Sequence, residues 1–164
     1  MRAFQAAVLR ISKGAAVVSA ALLVLMVLHI LLEITLRSFF ATSTFVLDEF
    51  VGYGVAAMTF LTLGYALEEG SLIRVQLVLT RSPAPVRRGL EILCASLTLA
   101  LSLFLIGYFW KSVGRNWSRG AVSQSIAEVP LWLPEGLVLI GILLFALQLF
   151  AHLLRLVWPT PVED

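Results

Sequence analysis

Charged side chains are scarce in this chain. Asp, Glu, Lys and Arg make up 13% of its 164 residues, where a soluble domain carries about 25%. Apolar residues make up 60%, more than a chain of this length can hide from water in one core. An ordinary soluble domain is therefore excluded, whereas a bilayer removes the need to hide the excess. Cys94 is the single cysteine, which excludes an intrachain disulfide. Lysine occurs only at Lys13 and Lys111, neither of them in a glycine-rich loop, so the usual phosphate-binding loop is missing. Histidine occurs only at His29 and His152, too few and too scattered for a metal or haem site, and no cofactor is expected. A net charge of +2 does not point to nucleic acid.

What the sequence does have is four long apolar runs, at about 14–36, 50–67, 89–110 and 133–158. Each is near the roughly 20 residues that cross a hydrocarbon core as a helix. The runs are continuous rather than alternating, which predicts helices and not barrel strands. Arg2, Arg10 and Lys13 ahead of the first run resemble the start of a signal peptide. The run is too long for that, and His29, Glu33 and Arg37 stand where a cleavage site would form, so a retained helix is expected. The fold expected is a single all-α integral membrane domain over residues 1–164. Trp110, Trp117, Trp132 and Trp158 fall at or just beyond the span ends, as interfacial anchors do.

Arg2, Arg10, Lys13, Arg74, Arg81, Arg87, Arg88 and Arg155 lie on one side of this layout, and Arg37, Lys111, Arg115 and Arg119 on the other. The twofold excess predicts that both termini and the middle loop are cytoplasmic. Ser71–Arg81, between spans two and three, is too short to cross. Its alternation of Ile73, Val75, Leu77 and Leu79 with polar residues fits a strand. A lone strand at a membrane would leave its backbone unpaired, so an interfacial helix is expected instead.

The polar residues sit near span ends. His29, Glu33 and Arg37 form one stripe spaced by four, with Glu33 about 28 Å along the helix from Gly14. This is either a snorkelling pair at the membrane edge or a polar contact with a partner helix. Asp48 and Glu49 open span two, where Asp48 is placed to cap the helix. Glu68 and Glu69 close it, against the helix dipole. They call for compensation by Arg74 or another subunit unless both reach water. Gln148, His152 and Arg155 read as a snorkelling stripe on span four, and Arg87 with Glu91 likewise on span three. Gly52 and Ala56 give a small-residue face, for internal packing or for a partner. Asn116-Trp117-Ser118 matches a glycosylation acceptor, a triplet common by chance. No carboxylate pair converges as a catalytic dyad, since neighbours on a helix point about 100° apart, and no enzyme activity is expected.

Several segments, in order, resemble the small membrane subunit of tripartite ATP-independent periplasmic (TRAP) transporters, the DctQ family. They are Leu36-Arg37-Ser38-Phe39-Phe40, Asp48-Glu49, Leu63-Gly64-Tyr65-Ala66-Leu67, Ile73-Arg74-Val75 with Leu77, Ser123 with Ser125, and Val129-Pro130-Leu131-Trp132. Gln76 and Glu68-Glu69 depart from the family pattern. The resemblance implies a bacterial inner-membrane scaffold that pairs with a large transport subunit. A periplasmic binding protein delivers the substrate, often an organic acid, and an ion gradient drives uptake. On this reading Arg37, Glu49, Gly52 and Ala56 are candidate contacts for the large subunit. Arg115, Arg119 and Ser123 are candidates for the binding-protein side, and lipid covers the rest. The competing readings are an independent four-helix exporter, which needs a carboxylate facing a central cavity, and the membrane anchor of an enzyme complex.

Overall fold

The computed structural model describes residues 2–70 and 83–157. The described residues form four helices: α1 (Arg2–Phe40), α2 (Leu47–Glu68), α3 (Ala84–Arg119) and α4 (Trp132–Val157). All four are long and apolar enough to cross a membrane, and the protein is an all-α membrane protein. The expected interfacial segment at 71–81 and the anchor Trp158 lie outside the described residues.

The helices come in two lengths. With 22 and 26 residues, α2 and α4 run about 33 and 39 Å, close to one bilayer. With 39 and 36 residues, α1 and α3 run about 58 and 54 Å and overrun it. The excess of α1 lies mostly before Gly14, and that of α3 beyond Trp110, at the opposite end of the molecule.

Local chemistry sets the ends. Pro85 sits in the first turn of α3, where a missing N–H costs nothing. Gly120 closes that helix in the left-handed conformation (φ 58°). Its N–H bonds Trp117 O, and the N–H of Ala121 bonds Asn116 O. At the other end of α3, Arg88 donates to Leu156 O at 2.6 and 3.0 Å and so satisfies the terminal carbonyls of α4. The capping role expected of Asp48 is not realised. The residue before α2 is Val46, which makes no side-chain cap, and Asp48 lies exposed inside the first turn. Its charge still faces the favourable end of the dipole.

The helices are arranged around α4, which packs on α2 at one side and α3 at the other. α1 packs on α2 and touches α4. Of the glycines, Gly141 makes the closest approach to another helix's backbone, where a Cβ would fall 2.6 Å from Phe60 C and 2.9 Å from Leu61 N. Only glycine lets the α4 and α2 backbones meet there. The exterior is apolar, and a few polar side chains are buried within the apolar core. Ser12, Ser19, Glu33, Ser102 and Gln148 are buried, while Val17, Leu25, Leu97 and Phe104 are exposed. That pattern suits hydrocarbon and not water. Hydroxyls within the helices find acceptors locally: Ser19, Thr35, Thr59, Thr62, Thr98 and Ser102 each donate to the carbonyl four residues back.

Candidate functional site

Three carboxylates at helix ends organise the polar chemistry. The first, Glu33, is only 1% exposed. It accepts from Arg37 Nε at 2.8 Å, Thr44 N at 3.0 Å, Thr44 Oγ1 at 2.6 Å and Ser43 Oγ. Four donors match the lone-pair capacity of a carboxylate. Ser43 Oγ also accepts from Phe45 N at 3.1 Å. The result is a clasp that folds the α1–α2 loop onto α1. Within that loop Ala41 (φ 47°) and Phe45 (φ 60°) take the left-handed conformation that side chains disfavour. The sequence does not disclose Ser43 and Thr44 as partners of Glu33, because a spacing of ten and eleven residues has no helical signature.

The second, Glu49, is half-buried and accepts from Tyr53 OH at 2.8 Å and from Ser125 Oγ. Ser125 Oγ lies 3.0 Å from Ser123 Oγ, and Ser123 Oγ accepts from Val129 N at 3.1 Å. The α3–α4 loop is thereby tied to the start of α2. It is further shaped by a bridge between Val122 and Pro130 and by the edge-on packing of Trp117 and Trp132, with ring centroids 4.6 Å apart. The fold thus brings together Glu49 and Ser123, which the sequence suggested for different partners. Arg115 and Arg119 lie exposed on the projecting end of α3, as does Trp110 lower on that helix.

The third, Glu68, has the compensation that its place at the end of α2 calls for, while Arg74 lies outside the described residues. The partner of Glu68 is Arg155, whose Nη1 lies 2.7 Å from Oε1 and whose Nη2 also reaches the carboxylate. Gln148 Nε2 donates to Oε2 at 2.7 Å, and Ser12 Oγ reaches Gln148 Oε1 at 3.3 Å. Compensation for Glu68 therefore comes from α4 within the same chain. Gln148, only 1% exposed, turns inward to Glu68, and Arg155, partly exposed, pairs with the same carboxylate. A bond from Gln148 satisfies Glu68 better than headgroup water would, because both residues sit between packed helices. Arg87 and Glu91 form an ion pair at 3.2 Å on the exposed side of α3.

The small residues of α2 divide between two faces. Ala57, Leu61 and Gly64 are buried inside the molecule. Gly52 meets nothing within 4 Å of a built Cβ. On the same side of α2, Ala56 leads down to Thr59, Leu63 and Ala66, which with Ala16 and Ala20 of α1 line an open groove of about 450 Å³.

No group of three or more His, Cys, Asp or Glu that could hold a metal occurs among the described residues. The arrangement is one of clasps and packing faces. No curated protein and no solved structure matches the chain. One family does, over residues 26–158, described as tripartite ATP-independent periplasmic transporters, DctQ component. That match takes in all three carboxylates, the α1–α2 and α3–α4 loops and the whole of α2, so the chain belongs to the DctQ family and is the small component of a TRAP transporter.

Proposed function

We propose that this subunit is a scaffold for the large transport subunit. On this reading the assembled transporter uses an ion gradient to take up an organic acid that a periplasmic binding protein delivers. The observation that carries it is a contrast. Glu33, Glu49 and Glu68 are engaged by donors of the same chain, while at Gly52, one turn from Ala56 on α2, an added Cβ would meet nothing within 4 Å. A transport pathway needs polar groups or broken helices near the midplane. A scaffold needs a face that another helix can approach closely. Arg37, whose side chain is 61% exposed beyond its bond to Glu33, gives a polar contact above that face, and Glu49 sets the end of the helix that bears it. An exporter reading is disfavoured, since its one carboxylate candidate, Glu33, is saturated by the α1–α2 loop.

The test is co-purification of the large subunit with Arg37→Ala, Glu49→Ala, Gly52→Leu and Ala56→Leu. Full recovery and unchanged uptake in all four would sink the scaffold reading. The twofold excess of basic residues supports an inner-membrane orientation with cytoplasmic termini. Impermeant thiol labelling of cysteines introduced at Gly120 and Arg88 checks it, with only the first labelled from outside. The binding protein is then received on the α3–α4 loop with Arg115 and Arg119 at its rim, and Ser123 holds that loop in shape. Charge reversal at Arg119 lowers uptake at limiting binding protein if this holds.

A further inference from the structure

One face of α3 changes character abruptly. Leu97, Leu101, Phe104 and Tyr108 recur at helical spacing and are all more than half exposed, on the side away from α4. The same face continues as Lys111, Arg115 and Arg119, all exposed. Among the described residues none of these three cations makes an ion pair. Tyr108 and Trp110 mark the changeover, where amphipathic rings settle at a membrane surface. From Lys111, Arg115 lies about 6 Å and Arg119 about 12 Å further along the axis. The headgroup layer on each side of a bilayer is roughly 5–7 Å deep. It takes in Lys111 and Arg115 and leaves Arg119 above it.

We propose that this face is a binding site for an anionic phospholipid. Its acyl chains lie along Leu97, Leu101, Phe104 and Tyr108, and its phosphate is held by Lys111 and Arg115. An apolar strip that ends in two cations is complementary to such a lipid along its whole length, in charge as well as in polarity. A cation in this layer is also disfavoured by topology when it lies on the outer side, and a bound phosphate compensates for it. The inference rests on the membrane-spanning reading alone and not on the scaffold role.

The experiment uses the full chain in mild detergent, with phosphatidylglycerol or phosphatidylcholine added back and retained lipid counted by native mass spectrometry. Phosphatidylglycerol is retained preferentially. Lys111→Gln and Arg115→Gln each lower its retention about five-fold, and the pair roughly thirty-fold, at the usual gain per cation near an anionic surface. Arg119→Gln leaves retention unchanged and serves as a folding control on the same helix. Equal retention of the two lipids by the unmodified chain overturns the site, as does a double variant that retains phosphatidylglycerol fully. A loss on Arg119→Gln as large as on the double variant also overturns it. That result would mean an occupant longer than a headgroup, and so a protein partner.

Discussion

The two ends of the molecule solve the same problem differently. At the end where α2 and α4 finish, Glu68 is matched by a full opposite charge, Arg155, with Gln148 and Ser12 behind it. At the other end Glu33 and Glu49 are matched mainly by hydroxyls and a backbone N–H from loops. The first arrangement joins three helices, and the other two shape connections. Removing the charge should therefore loosen the helix assembly at one end and only a loop at the other. The largest effect is expected from Glu68→Ala, which strands Arg155 and the buried Gln148. Breaking a fully buried pair costs about 3–5 kcal/mol and an exposed one about 0–1. With 38% of the Arg155 side chain exposed, about 2–3 kcal/mol is expected, measured by denaturation in detergent micelles. Glu68→Ala/Arg155→Ala should cost less than the sum of the single changes. Strict additivity would show that the pair does not hold the helices.

Glu33→Ala comes next. It removes the acceptor of Thr44 N–H, two hydroxyls and Arg37, and an unsatisfied donor costs about 1–3 kcal/mol. Arg37 and the hydroxyls can turn to water, so about 2 kcal/mol is expected. The loss should be local, since without Glu33 the Ser43 hydroxyl that accepts from Phe45 N is no longer anchored to α1. Hydrogen exchange at residues 41–46 should rise while α4 amides keep their protection. Uniform loss across the helices would erase the contrast between the two ends. Glu49→Gln is milder, about 1 kcal/mol, because an amide oxygen still accepts from Tyr53 or Ser125. Faster exchange confined to residues 121–131 is the expected readout.

The elements differed in how readily the sequence disclosed them. Four helices were legible because hydrophobic runs of about 20 residues have few other solutions. The pair of Glu33 and Arg37 was legible too, since its spacing of four is local. Glu68 with Arg155 was not, because 87 positions separate them and only the packing of α2 on α4 joins them. The projecting ends of α1 and α3 were hidden for another reason: their turns are polar enough to read as loops when judged by hydropathy alone. Ser43, Thr44 and Ser125 carry no signal beyond being loop hydroxyls. Their role comes from the carboxylate that the fold sets beside them.

The smallest effect on the isolated chain is expected at Gly52, and it bears most directly on what the two ends hold in place. Gly52 and Gly141 are both glycines on α2 and α4, but Gly141 abuts the backbone of Phe60 and Leu61 and Gly52 abuts nothing. Gly141→Ala overpacks a closed contact, which costs about 1–3 kcal/mol. Gly52→Ala should not destabilise the chain, since the methyl group touches nothing and alanine favours the helix by about 0.5–1 kcal/mol. If α2 keeps this face open for another helix, the methyl group clashes only once that helix arrives, and recovery of the large subunit should fall while the free chain is no less stable. A bulkier Gly52→Leu should deepen the loss in step with side-chain volume. Equal recovery with Gly, Ala and Leu at this position would mean that the open face meets lipid, and the partner surface would have to be sought on α1 or α3.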